Sequence, residues 1–159
     1  MTNQELKQRL KTDFEYFARR QLVIRAKDGQ LIPFNLNKAQ IYLQSRIDEQ
    51  LKTSGKIRLA ILKGRQQGLS TYIGGYLYHR TITRKGTLTF IFAHDADGSG
   101  SLYKMVQTYY NDGNYDDLKP ALGASSQREM SFPILNSSYK VGTAGTSGLG
   151  RSKTIQQLH

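Results

Sequence analysis

The chain has no cysteine and no tryptophan, and only 3 of its 159 residues are proline. Without thiols it can form no disulfide, no thiolate zinc site and no cysteine nucleophile, a composition that suits a reducing compartment. Its three histidines, His79, His94 and His159, are scattered, which argues against a metal cluster built on imidazole. No apolar run approaches the roughly 20 residues of a membrane-spanning helix. The opening MTNQELKQRL also lacks the apolar core of a signal peptide, so a cytosolic protein is expected. Acid is scarce as well: 12 Asp+Glu stand against 23 Lys+Arg, a net charge of +11. The imbalance is concentrated in residues 1–65, which hold 14 Lys+Arg and 6 Asp+Glu. Such an excess favours a polyanionic partner, nucleic acid first, over the plainer reading of a solvated basic face. No zinc-finger or RNA-binding signature accompanies it.

What is present is a hydrophobic fraction of 38% in a length suited to one domain with a real core. Thr2 and Glu5 form a T-x-x-E capping box, and Leu6, Leu10, Phe14 and Phe17 follow on one face, predicting a helix to about Arg20. Asp28-Gly29 between two β-prone runs predicts a hairpin. Asn37 and Gln40 make a second capping box, before a helix that turns Ala39, Leu43, Ile47 and Leu51 inward and ends at Thr53, Ser54 and Gly55. Further on, TLTFIFAH reads as a strand and Leu102, Met105, Val106 and Tyr109 as the buried stripe of a helix capped by Asp97 or Ser99. Residues 111–127 read as loop. EMSFPIL and SSYKVG then form two short strands around Asn136, and TIQQLH begins another after the glycine-rich TAGTSGLGRS.

The densest signal is residues 57–71, IRLAILKGRQQGLST. Ile57, Leu59, Ala60, Ile61 and Leu62 suit a strand buried on both faces, while Leu69, Tyr72, Ile73, Tyr76 and Leu77 recur at helical spacing. Between them lies a glycine loop. Against the phosphate-loop pattern G-x-x-x-x-G-K-[ST], Lys63 stands where the first glycine belongs, Gly68 fills the second glycine and Leu69 replaces the lysine. Ser70 holds the hydroxyl position that would ligate Mg²⁺, with Thr71 beside it. A loop that curls around phosphate brings its two ends together, so a lysine at its first position reaches the same β- and γ-phosphates. Arg65 adds a second cation, and Gly64 and Gly68 permit close backbone approach. The alternative is a purely structural strand-to-helix turn. Strand, helix, strand, helix order around such a loop predicts an α/β fold with a parallel, doubly wound sheet.

Taken together, KGRQQGLST after its apolar run, the upstream IPFNLNKAQ, the AHDADGSGSLYKMV segment and the downstream VGTAGTSGLGRSKTIQQLH resemble the N-terminal ATPase region of tailed-phage terminase large subunits, the DNA-packaging motors. The resemblance runs over roughly residues 14–159. It implies a P-loop NTPase core of RecA/helicase-like type, a prelude over 1–52 with the adenine-motif helix, and a partial ATPase core over 53–159 without the nuclease domain. It implies ATP and Mg²⁺ as cofactors, and double-stranded DNA, portal and small terminase subunit as partners of an oligomeric motor in the bacterial host cytoplasm. Residue by residue, it assigns the β/γ-phosphates to Lys63, backbone N–H contacts to Gly64, Gln66, Gln67 and Gly68, and Mg²⁺ to Ser70. Arg65 would brace the γ-phosphate. Gln40 would read adenine, unless it only completes its capping box.

Hydrolysis in that class needs carboxylates at the end of a further apolar strand, to hold metal and orient water. TIQQLH resembles the start of that strand, so the chain is expected to encode a nucleotide cradle without its hydrolytic centre. A helicase-like translocase fragment and a non-catalytic nucleic-acid-binding module remain the alternatives. Arg151 in GLGRS would approach phosphate or DNA, or simply be solvated. Tyr103, Tyr109 and Tyr110 would stack on bases or belong to the core. His94 and Asp95 stand at a strand end where ligands bind, or mark a polar transition into loop.

Overall fold

The computed structural model describes residues 2–64, 66–115, 119–126, 128–145 and 154–159. Two helices open the chain, α1 (Asn3–Thr12) and α2 (Phe14–Gln21), in place of the single helix expected. Asp13 makes the break: its extended backbone ends α1, and its side chain accepts the Tyr16 N–H to cap α2. The expected apolar face survives, because Leu10, Phe14 and Phe17 all stay buried. The hairpin of β1 (Val23–Arg25) and β2 (Leu31–Pro33) follows, turning through Gly29 at φ 88°. Helix α3 (Lys38–Ser54) is capped by Asn37 and stops at Gly55 in the left-handed region. Its inward face is Gln40, Leu43 and Ile47, whereas Ala39 is exposed.

Helix α4 (Leu69–Thr83) is the axis of the molecule. Helices α1, α2 and α3 pack on it from one side, and strands β3 (Leu88–Ala93) and β5 (Ser137–Thr143) with helix α5 (Ala96–Asp112) from the other. Such crowding explains Gly74 and Gly75. A Cβ on Gly74 would lie 2.5 Å from Met105 Cε, and one on Gly75 within 3.2–3.3 Å of Phe34 and Leu22. A single apolar cluster therefore runs from Leu10 through α4 to Val141.

The main sheet has the order β4-β5-β3-β6, with β4 at Glu129–Phe132 and β6 at Gln157–Leu158. Strand β3 lies parallel to both β5 and β6, with α5 in the crossover to β5. The sheet is mixed rather than wholly parallel, because β4 and β5 form an antiparallel hairpin. A 3₁₀ turn at Pro133–Leu135 and left-handed Asn136 (φ 49°) make that connection too short for any crossover. Thr89 and Ile91 face the helices, the Thr89 hydroxyl 2.7 Å from that of Thr81. On the opposite face the Phe90 and Phe92 rings stack at 5.7 Å.

One expected strand does not form. Residues 57–62 carry no regular secondary structure and join no sheet; Leu59 and Ile61 are exposed and Leu62 wholly so. A strand exists only by pairing its backbone with a neighbour, and among the described residues none flanks this segment. Its backbone is instead pinned to α3: Gln50 Oε1 accepts the Arg58 N–H at 2.8 Å and Gln50 Nε2 donates to Arg58 O at 3.1 Å.

Candidate functional site

Helix α4 starts behind Gly68, whose backbone stands at φ 70°, ψ 13° and which offers no side-chain cap. Any L residue is strained there, and a Cβ would sit 2.9 Å from Gln40 Nε2, so the position requires glycine twice over. Gln66 is left-handed too, at φ 61°. Tyr72 N–H makes the first α-helical bond, to Gly68 O at 3.0 Å. The N–H groups of Leu69, Ser70 and Thr71 precede it and so lack intrahelical acceptors. No acidic side chain occupies this first turn, which leaves the positive helix end unneutralised from within.

Helix α3 holds the loop in place. Asn37 and Gln40 cap each other reciprocally: Asn37 Oδ1 accepts the Gln40 N–H at 3.0 Å and Gln40 Oε1 accepts the Asn37 N–H at 2.9 Å. The far ends of both carboxamides then reach across to the loop. Asn37 Nδ2 donates to Gln67 O at 3.2 Å, and Gln40 Nε2 donates to Gly68 O at 2.8 Å. Gln40 is only 3% exposed, its polar atoms turned to the protein. One turn on, the Tyr72 hydroxyl donates to Gln44 Oε1 at 2.5 Å. From the other side, buried Tyr109 of α5 donates its hydroxyl to Thr71 O at 2.9 Å. The start of α4 is thus braced by two helices.

Lys63 and Gly64 are exposed at the head of the loop. His159, just past β6, feels the Lys63 charge: burial first, and then that charge, holds its imidazole below the ordinary pKa. Leu69, in the lysine position of the standard motif, is a core residue at 7% exposure. Ser70 and Thr71 are half-buried. Arg65 and Arg151 lie outside the described residues.

For a phosphate anion the donor set fits: first-turn amides without intrahelical acceptors, a glycine in the left-handed region, and a nearby cation. A divalent cation finds less. Among the described residues no three His, Asp or Glu side chains gather to hold one. Ser70 alone would offer an Mg²⁺ one oxygen ligand.

The other candidates have structural roles. Asp95 caps α5, where Asp97 or Ser99 was expected: its Oδ1 accepts the Gly98 N–H at 2.6 Å, and its Oδ2 lies 2.5 Å from exposed His94 Nε2. Asp97 sits in the first turn of that helix. Ser99 is buried and ties the turn to β5 through Gly142 O and Thr143 Oγ1, each at 2.9 Å. Tyr103 and Tyr109 are core, their hydroxyls given to Ser126 O and Thr71 O; Tyr110 donates to Pro120 O, beneath the Lys119 ammonium. Sequence reading missed Asn37 as a loop contact and Tyr109 as a brace. Asn37 had a local signal in its capping box, but a reach of 30 residues leaves no trace in spacing.

No family model and no curated protein matches the chain. Among the described residues, no helix is long and apolar enough to cross a membrane.

Proposed function

We propose that the chain binds ATP, with its triphosphate at the N-terminus of α4, and that it is the N-terminal ATPase region of a terminase-type, DNA-packaging P-loop motor. The observation that carries this reading is the amino end of α4, opened by left-handed Gly68 and held by Asn37 and Gln40. A phosphate there would accept hydrogen bonds from the amides of Leu69, Ser70 and Thr71 and meet the helix's positive end. Lys63 would add its charge from the head of the loop. Mg²⁺ would neutralise phosphate charge, with Ser70 as its protein ligand. Gln40 acts in this reading by fixing the loop. Its carboxamide is already engaged on both sides, so reading adenine would require exchanging those bonds for base contacts. The net charge of +11 supports double-stranded DNA as the macromolecular partner. The oligomeric motor with portal and small subunit, in the bacterial host cytoplasm, follows from the sequence resemblance.

Calorimetry tests the nucleotide site. Lys63 is exposed, so Lys63→Ala should leave the melting temperature unchanged and weaken ATP by at least about tenfold, near 1.4 kcal/mol, while adenosine binding is unaffected. Equal losses for both ligands, or no ATP binding by the parent chain, would overturn the reading.

A further inference from the structure

A groove of about 530 Å³, within the usual size of a small-molecule site, opens beside the first turn of α4. Strand β1 forms one wall, helix α5 the other, and Thr71 of that first turn borders it. The two flanks of the turn differ. Toward α3 the carboxamides are engaged, Gln40 with the Asn37 N–H and Gly68 O, and Gln44 with the Tyr72 hydroxyl. Toward α5 they are not. The Lys104, Gln107, Asn111 and Asp112 side chains line the groove, and among the described residues none of them makes a hydrogen bond or ion pair. Lys104, Gln107 and Asn111 stand three and four residues apart, which puts them on one helical face.

The groove also has a direction. Helices α4 and α5 run parallel, Gly74 against Met105 and Tyr78 against Tyr109, so the Lys104 end of α5 is the one nearer Thr71. At the other end the Asn114 N–H donates to Gln21 O at 2.9 Å, so β1 leaves the carboxyl end of α5 and brings Arg25 back toward Lys104. Two cations therefore mark the end beside the glycine loop. Asp112, the one carboxylate among the described lining residues, marks the far end. A nucleotide has the same polarity, anionic phosphate at one end and an amino-bearing base at the other. Between the ends, Ile24 and Met105 offer apolar surface to the face of a base. The Gln107 and Asn111 carboxamides can each donate and accept along its edge. Building on the phosphate site proposed above, we infer that this groove takes the nucleoside half of the bound nucleotide. The base lies against Ile24 and Met105, and its edge is read by Gln107 and Asn111 of α5, not by Gln40. Lys104 meets the phosphate nearest the ribose, and Asp112 accepts from an exocyclic amino group.

Three ligands separate the two halves of the site: ATP, inorganic tripolyphosphate, which has no nucleoside, and adenosine, which has no phosphate. In calorimetry with the 159-residue chain, ATP should bind at least about tenfold tighter than tripolyphosphate. Adenosine should shift the amide resonances of residues 104–112. Asn111 is exposed, so Asn111→Ala should fold with an unchanged melting temperature and weaken ATP and adenosine at least about threefold, with tripolyphosphate unaffected. Thr108→Trp, which fills the groove, should abolish the adenosine shifts and bring ATP down to the affinity of tripolyphosphate. ATP binding indifferent to both variants, equal weakening of ATP and tripolyphosphate, or adenosine shifts confined to residues around Gln40 would each overturn the groove while leaving the phosphate site standing. Tripolyphosphate that does not bind would instead overturn the phosphate site, and the adenosine shifts then decide the groove by themselves.

Discussion

Gln40→Ala separates a residue that positions the loop from one that reads a base. The side chain is buried and makes two hydrogen bonds, one closing the capping box on the Asn37 N–H at 2.9 Å and one to Gly68 O at 2.8 Å. Each bond contributes about 0.5–1.5 kcal/mol, so truncation should cost about 1–3 kcal/mol in urea unfolding. Asn37→Ala removes a cap and the bond to Gln67 O, with a loss of similar size. Because the two side chains bond each other's backbone and adjacent carbonyls, the double variant should fall short of the sum by at least about 0.5 kcal/mol. If Gln40 works through the loop, ATP and GTP weaken together in titrations of Gln40→Ala. Loss of ATP preference with stability intact would refute the positioning role and restore base reading. Additive stability losses in the double variant would refute the shared network.

Gly68→Ala should destabilise by about 1–2 kcal/mol from left-handed strain alone and displace Gln40, so ATP affinity falls with the unfolding midpoint; an alanine variant as stable and as tight-binding as the parent would contradict the loop geometry. His79 supplies a pH dependence. Burial, with smaller contributions from Arg84 and Arg80, lowers its pKa from 6.5 to about 4, while the bond to Leu10 O and the Asp13 charge work in the other direction. Its Nε2 lies 2.7 Å from Leu10 O and its Nδ1 is unpartnered between Phe14 and Phe17. Between those two values the unfolded chain binds more protons, so this stability is fully present above pH 6.5, about 2 kcal/mol smaller at pH 5, and smallest below pH 4. Urea midpoints that do not move between pH 7 and pH 5 would refute it.

Local chemistry made much of the fold legible. The Thr2–Glu5 and Asn37–Gln40 boxes, the Asp28-Gly29 hairpin, TLTFIFAH as β3 and TIQQLH as β6 all depend on neighbours a few residues apart. What failed depended on distance. A continuous helix over Asn3–Gln21 is compatible with its apolar spacing, yet Asp13 competes for the backbone and wins locally. Residues 57–62 have the right composition for a strand, but composition does not supply a neighbour, and pairing decides. At the candidate site, spacing singled out Lys63, Gly68 and Ser70, while the braces from Asn37 and Tyr109 lie 30 and 38 residues away in sequence.

The same distances divide the glycine loop into two physically different halves. The first turn of α4 is tied down, to α3 through Gln40 and Gln44 and to α5 through Tyr109, so its amides are fixed before any ligand arrives. Fixed donors cost little to organise, and an anion gains most of their energy. Among the described residues no such brace reaches Lys63 and Gly64: they follow a segment outside the sheet, held through Gln50 at Arg58.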